Sequence, residues 1–143
     1  MKAKATIITA ILLTTVLIFA AACGSVNSAA PAGNASSSSG ANDIGNGSNV
    51  FLFEVTDDEG NVSAWNVHTN AATVGAALVE VGLIEGEEHD FGLMVSHVNG
   101  LRADYVEDGA WWSFHIDGEM AMEGVDTTDI KEGVTYAFVY TEA

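Results

Sequence analysis

Apolar and polar positions alternate along the segment 109–122, GAWWSFHIDGEMAM. Successive side chains of a strand point to opposite faces, so the pattern predicts a strand with two unlike rows. One row is wholly apolar and typical of a core: Trp112, Phe114 and Ile116. The other row carries a tryptophan and a histidine: Trp111, Ser113 and His115. We expect any ligand surface to begin on this second row.

The rest of the pattern predicts further strands and tight turns. Segments rich in β-branched and aromatic residues predict strands over 50–56, 62–68, 91–98, 101–105 and 134–140. Residues 57–61 and 117–118 are predicted turns, and Asn99-Gly100 is a strong hairpin signal, because both residues tolerate positive φ. The acidic residues 83–90 are predicted to form a loop.

One helix is predicted, over 73–81. Its apolar stripe has i, i+3, i+4 and i+7 spacing and consists of Val74, Ala77, Leu78 and Val81. Thr69 or Asn70 can cap it, and Gly82 ends it. The glycine and alanine at 75 and 76 let the helix lie close on a sheet.

The order of elements predicts an α+β, two-layer domain with a mostly antiparallel sheet. A single short helix covers only one sheet face, yet the predicted strands at 111–116 and 134–140 carry large apolar groups on both faces. Either a second small sheet covers the remaining face, or that face binds something. We expect partial cover with a residual exposed aromatic patch.

The N-terminus has the pattern of a secretory signal. Lys2 and Lys4 precede an uncharged apolar run, and a single cysteine, Cys23, follows it. This order predicts a signal peptide over 1–22. Residues 19–23, FAAAC, resemble the lipobox of bacterial lipoproteins, in which the cysteine is lipidated and begins the mature chain. An uncleaved membrane anchor is the alternative, because the run could nearly span a bilayer.

Residues 23–49 are mostly Ser, Ala, Gly and Asn without periodicity. Such a segment cannot bury enough apolar surface to offset its ordering entropy, so we expect a disordered tether. The folded domain is predicted over 50–143. Together these features predict an extracytoplasmic protein held at the cell membrane by lipid on Cys23.

The charge is strongly acidic: the formal net charge is −16, from four basic and twenty acidic residues. Removal of the signal would leave two basic residues and a net charge of −18. Such a surface repels phosphate groups, which excludes nucleic acid as a partner. It keeps a surface protein soluble, and capture of cations is the sharper alternative.

Metal and catalytic sites are not predicted. A calcium loop at 57–61 lacks the twelve-residue pattern, and the acidic run 85–90 offers only one histidine without a spaced partner set. The four histidines are scattered, and no nucleophile motif or phosphate loop occurs. An Asp104 dyad with His115 or Asp117 is the remaining catalytic alternative. We expect no enzyme.

Several segments resemble one family. GAWWSFHIDGE at 109–119, Gly124-Val125-Asp126 and IKEGVTYAFVY at 130–140 are similar to the transcobalamin-like C-terminal domain. The helix over 74–82, the Asn99-Gly100 hairpin and the Ala103-Asp104-Tyr105 segment fit bacterial surface lipoproteins that carry this domain. The resemblance covers 50–140.

The resemblance implies a β-grasp-like fold, a binding or scaffold role and no catalysis. In the family's cobalamin carriers the domain closes over one side of cobalamin together with a separate helical domain, so a partner chain would supply the other side here. A corrinoid or another small nutrient is the implied ligand, and no resident cofactor is expected.

The sequence thus predicts a lipid-anchored binding module of a bacterial cell surface. The ligand-contacting candidates are Trp111, His115, Ser113, Tyr105 and Met120. The alternative is a structural or adhesive surface domain that contacts an envelope protein without a small-molecule ligand.

Overall fold

The alternating segments fold into strands in the computed structural model, which describes residues 40–143. The strands are β1 (Asn42–Gly45), β2 (Asn49–Thr56), β3 (Val62–Thr69), β4 (Ile84–His89), β5 (Gly92–Val98), β6 (Leu101–Arg102), β7 (Ala110–Ile116), β8 (Glu119–Met120) and β9 (Thr135–Glu142). The helix α1 (Val74–Glu80) lies between β3 and β4 in the chain. The predicted signal peptide 1–22, the lipidation site Cys23 and the tether as far as residue 39 lie outside the described residues.

The strands form two open sheets, and with one short helix the architecture is α+β. A six-stranded sheet has the order β1-β3-β2-β9-β7-β8, and a three-stranded sheet has the order β4-β5-β6. The pairs β1–β3 and β2–β9 are parallel, and the other pairs are antiparallel, as the sequence predicts for most of the sheet. Among residues 40–143, no helix has the length and apolarity needed to cross a bilayer.

The core lies against one face of the six-stranded sheet, which we call the inner face. Its buried side chains come from alternate strand positions: Phe51, Phe53, Val55, Val67, Trp112, Tyr136 and Phe138. They pack in one cluster with Val74, Ala77 and Leu78 of α1 and with Ile84 and Val98 of the small sheet. The second sheet therefore shares the inner face with the helix. A small sheet covering the face that the helix leaves open was one of the two arrangements expected from the sequence. The structure does not have that arrangement.

The domain begins earlier than residue 50, where the sequence analysis placed its boundary. Residues 42–45, assigned there to the disordered tether, form β1 and pair with Trp65–His68 of β3. Asp43 accepts hydrogen bonds from the Asn66 amide at 3.1 Å and contacts His68 Nε2 at 3.2 Å. This short polar strand has no apolar alternation of its own. Pairing with the edge of β3 stabilises it instead.

Two further elements differ from their predictions. Residues 84–89, predicted as a loop, form β4, whose side chains after Ile84 are all exposed. Backbone pairing with β5 rather than side-chain burial makes this strand, and a Cβ at Gly86 would collide with the Met94 carbonyl. The helix cap is Thr73, not Thr69 or Asn70, since Thr73 Oγ1 accepts from the Ala76 N–H at 3.3 Å.

The predicted tight turns are confirmed. Asn99 and Gly100 have φ of 49° and 79°, and Asp117 and Gly118 have φ of 50° and 83°. Positive φ at two consecutive residues matches the twist of antiparallel strands, and Asn, Asp and Gly tolerate it best. The turn at Asp117 places β7 next to β8, with His115 opposite Met120.

Candidate functional site

Tyr105 and Trp111 form an exposed aromatic pair at the start of β7. Their ring centroids are 5.9 Å apart with a tilt of 58°. Trp111 retains 36% of its surface exposed and Tyr105 65%. The structure therefore brings together two of the five candidate residues, and the Trp111 indole is not sealed in the interior.

The loop between β6 and β7, which carries Tyr105, contains an ion cluster. Arg102 Nη2 lies 2.6 Å from Asp104 Oδ2, and Arg102 Nη1 lies 2.9 Å from Glu107 Oε2. The other Asp104 oxygen accepts from the backbone N–H groups of Val106 at 2.8 Å and Glu107 at 3.0 Å. These backbone hydrogen bonds, followed by the Arg102 charge, hold the pKa of Asp104 below its usual value. Strand β6 ends at Arg102, short of the predicted residue 105.

The aromatic pair stands between two cavities. The polar cavity, of about 530 Å³, is also lined by Ser96, His97 and Arg102. The apolar cavity, of about 430 Å³, is also lined by Leu93, Trp112, Phe114 and Phe138. Met94, Val95, Tyr105 and Trp111 line both. We call the two cavities with these four shared residues the aromatic groove.

The other three candidates line neither cavity, although Ser113 and His115 share with Trp111 the outer face of the six-stranded sheet, opposite the inner one. Ser113 Oγ lies 3.0 Å from His115 Nε2 and 2.8 Å from Thr141 Oγ1. Met120 pairs with His115 across the strands and is exposed. Ser113 and His115 thus form a polar pair apart from the aromatic one, with Met120 opposite His115, and the role of all five residues in binding stays a prediction.

The side chains considered for catalysis are engaged by different partners. Asp104 contacts Arg102 and its own loop, His115 contacts Ser113, and Asp117 Oδ1 accepts from the Thr135 N–H at 2.9 Å. The structure does not bring them together as a dyad.

The two segments weighed as calcium or metal sites do not form an assembled set of ligands. Asp57 Oδ1 accepts from the backbone N–H of Glu59 and of Asn61, so this carboxylate stabilises its own turn. In the acidic strand β4 the contact between His89 Nε2 and Glu87 spans 3.8 Å. Within residues 40–143, no three His, Cys, Asp or Glu side chains gather closely enough to hold a metal ion.

Sequence reasoning missed the contribution of β5 and β6 to the groove. Met94, Val95, His97 and Arg102 line it although they lie on strands that the sequence treats as ordinary sheet. Met94 is 65% exposed. The one signal that could have identified it is a large apolar residue at a strand position that faces solvent. The pairing of the small sheet beside β7 has no local sequence signal.

The chain was compared with known protein families and curated proteins. A family profile described as a domain of unknown function (DUF4430) matches residues 71–142, from the residues before α1 to the end of β9. No curated protein matches the sequence.

Two solved structures are similar in fold. A protein from Ruminococcus gnavus ATCC 29149, provisionally described as metal binding, has a TM-score of 0.62 at 22% identity, over 66% of this chain and 97% of that one. Haptocorrin in complex with Cbi has a TM-score of 0.50 at 17% identity, over 65% of this chain. The chain spans about a quarter of haptocorrin, 25% of its length. At these identities the likeness concerns the fold alone, and it supports the transcobalamin-like fold that the sequence predicts.

Proposed function

We propose that this chain, which belongs to the family of domains of unknown function designated DUF4430, is a binding module for a small amphipathic ligand held in the aromatic groove. The observation that carries the proposal is the half-exposed Tyr105–Trp111 pair between an apolar and a polar cavity. Ligand sites are typically apolar concave surfaces with a few placed polar groups.

The two halves of the groove favour an amphipathic ligand. The apolar half offers aromatic walls, against which a ring or an alkyl body buries its surface. The polar half offers the Ser96 hydroxyl and the His97 ring, whose Nδ1 lies 3.0 Å from Ser96 Oγ. The Arg102 guanidinium is already paired with carboxylates of its loop, so it does not favour an anionic ligand.

A β-grasp-like description and a corrinoid ligand are the finer parts of the proposal. In the six-stranded sheet, β2 and β9 are central and parallel, and each is flanked by an antiparallel partner, β3 and β7. This arrangement with one helix supports a β-grasp-like fold. Haptocorrin is described with Cbi bound, which makes a corrinoid a reasonable first ligand to test, with a partner chain covering its second side.

The membrane anchor is proposed from the sequence. The lone Cys23 after the apolar run would carry lipid, and the tether would hold the domain outside the cell membrane. Cys23→Ala is expected to release the protein from the membrane fraction and abolish incorporation of a labelled fatty acid. Retention on the membrane without label would favour an uncleaved anchor instead.

The binding test uses two probes on the full chain in detergent micelles. Nile red, which is neutral and apolar, tests whether the groove is accessible; because the dye also enters micelles, the signal of protein-free micelles at the same detergent concentration is subtracted. Cyanocobalamin tests the corrinoid. Trp111→Ala should weaken Nile red binding on the order of tenfold, because aromatic anchors dominate such sites. Phe91→Ala is the matched control, because Phe91 is a fully exposed aromatic residue that lines neither cavity.

Each probe has a decisive outcome. Equal Nile red affinity of the two variants and the parent chain would remove the groove as a binding site. No calorimetric signal with cyanocobalamin, alongside normal Nile red binding, would remove only the corrinoid.

A structural or adhesive role is the second candidate. Phe91, Val106 and Met122 project almost fully into solvent, at 101%, 90% and 101% exposure. Val106 lines the groove, so the test replaces only Phe91 and Met122 by serine. This double variant should reduce chemical cross-linking to an envelope neighbour and leave Nile red binding unchanged. If cross-linking persists, these side chains do not form the contact.

A further inference from the structure

The Tyr105–Trp111 pair is exposed where the two halves of the aromatic groove meet. The ring centroids lie 5.9 Å apart at a tilt of 58°, and the two residues keep 65% and 36% of their surface exposed. A cation within about 6 Å of a ring centroid is attracted by the negative face of the ring. Rings this close together allow one bound cation to lie near both.

The loop between β6 and β7, which carries one of these rings, has a net negative charge. The Arg102 guanidinium pairs with three carboxylates, at 2.6 Å from Asp104, 2.9 Å from Glu107 and 3.5 Å from Asp108. Three carboxylates around one guanidinium leave an excess of negative charge beside the aromatic pair. The electrostatic potential at the rings therefore favours a cation.

Two residues of the polar cavity support the same charge preference. Glu87 lies opposite Met94 in the pairing of β4 with β5, and its side chain is 87% exposed. Met94 offers a polarisable thioether, against which methyl groups of a ligand can pack. The second basic residue of the described part of the chain, Lys131, lines neither cavity of the groove.

The groove suits one class of cation better than the others. A metal ion needs several ligand atoms around one point, and within residues 40–143 no such set of His, Cys, Asp or Glu is assembled. A primary ammonium is compact and strongly hydrated, so it favours sites where hydrogen-bond acceptors replace its water. A quaternary ammonium has no N–H to satisfy, and aromatic faces attract it directly.

We propose that the aromatic groove recognises a quaternary ammonium group, which lies against the rings of Tyr105 and Trp111 while the rest of the ligand enters the apolar cavity. This inference rests on the function proposed above and names the polar end of its amphipathic ligand. The acidic loop acts through its electrostatic field, without contacting the ligand.

The test is an NMR titration of the full chain in nonionic detergent micelles, followed at the indole N–H of Trp111, which is identified by its loss in Trp111→Phe. Choline chloride is the probe, ethanolammonium chloride is its unmethylated counterpart, and 3,3-dimethyl-1-butanol is its neutral isostere. The titrations are run at pH 8, where histidine side chains are ordinarily neutral. The parent chain should bind choline about threefold or more tightly than either counterpart. Added sodium chloride should reduce the preference over the alcohol.

Two pairs of variants separate the contribution of the rings from that of the charge. Tyr105→Leu removes a ring face and should weaken choline binding about threefold, whereas Tyr105→Phe keeps the ring and should bind choline as the parent does. Glu107→Gln combined with Asp108→Asn should weaken choline binding about twofold and leave the alcohol unchanged. Glu119→Gln combined with Glu132→Gln removes two exposed charges that line neither cavity and should change neither affinity.

Equal affinity of the parent chain for choline and for 3,3-dimethyl-1-butanol would overturn the proposal, as would unchanged choline binding in Tyr105→Leu. Tighter binding of ethanolammonium than of choline would overturn the ligand class. Nile red separates these failures from failure of the proposed function. If Trp111→Ala weakens Nile red binding but choline does not bind the parent, only the quaternary ammonium is removed. If neither probe binds, the groove itself is removed as a site.

Discussion

The inner and outer faces of the six-stranded sheet belong to the same strands but are stabilised by different interactions. On the inner face, aromatic rings stack and pack edge-on, with Phe114 and Phe138 centroids 5.2 Å apart and Phe51 and Tyr136 centroids 5.4 Å apart. On the outer face, small and polar side chains form a hydrogen-bond network around Ser113. Strand β7 supplies both, because its alternate residues point to opposite faces.

The surface that stabilises the fold is therefore distinct from the surface proposed for ligand binding. The helix α1 and the small sheet exclude water from the inner face, which therefore supplies most of the hydrophobic stabilisation. The aromatic groove lies where that cover ends, at Trp111 and Tyr105. Most side chains of the outer face stay partly exposed, although Asn66 and Ser113 are buried, so changes there are expected to cost less than changes on the inner face.

The largest effect is expected from removing an inner ring. Phe53→Ala empties a fully buried position and should lower the free energy of unfolding by about 3–5 kcal/mol. Leu52→Ala changes the next residue, which is only partly buried, and should cost about 1–2 kcal/mol or less. Urea denaturation measures both. Equal losses would mean that the two faces contribute alike.

A smaller effect is expected from the buried hydroxyl of Tyr136 on the inner face. Tyr136 OH donates to the Asp129 carbonyl at 3.0 Å and accepts from the Lys131 N–H at 3.0 Å. Tyr136→Phe leaves both groups unpaired and should cost about 1–3 kcal/mol.

Tyr140→Phe is the matched control for this hydroxyl. The Tyr140 ring packs edge-on against Trp112 and keeps that packing in the variant, so urea denaturation should show a smaller loss. A larger loss for Tyr140→Phe would contradict the assignment of the buried hydroxyl.

On the outer face, Ser113→Ala removes the centre of the polar network. His115 and Thr141 remain partly exposed and can turn to water, so the expected loss is about 1 kcal/mol or less. The midpoint of urea denaturation measures it. A loss as large as that of Phe53→Ala would show that the network stabilises the sheet as strongly as the core does.

The smallest effect concerns pH at the sheet edge. The hydrogen bond to His68, then that to Asn66, lowers the pKa of Asp43 below its usual value. Because the folded value is the lower one, this contribution is present above the unfolded pKa and is lost as pH falls through the folded value. Carboxyl NMR titration should show the lowered pKa, and His68→Ala should raise it. An unchanged pKa in that variant would contradict the assignment.

The helix, most strands and the tight turns could be predicted because their signals are local. The i, i+3, i+4 stripe of α1 and the alternation of β7 encode which side chains turn inwards, whatever they later contact. The Asn99-Gly100 turn needs only the backbone freedom of its own two residues. The acidic strand β4 and the edge strand β1 were missed because only hydrogen bonds to distant strands stabilise them.

The candidate site was predictable only in part. The alternation of β7 placed Trp111 in the row opposite the core, where a ligand surface was expected to begin, and the structure leaves it partly exposed. It also placed Ser113 and His115 in the same row, yet the groove excludes them, because the Trp111 ring meets Tyr105 from the β6–β7 loop. A loop fixed by Arg102 and Asp104 leaves no periodic signal.

The sequence by itself determined the α+β class, the inward row of each main strand and the acidic surface, since composition and periodicity fix these before any long-range contact forms. Only the tertiary structure decided that the second sheet joins the helix on the inner face, and that Asp126 meets Gly75, Gly92 and Gly124. The physical reason is that both depend on contacts between residues far apart in the chain, and local sequence patterns do not identify such contacts.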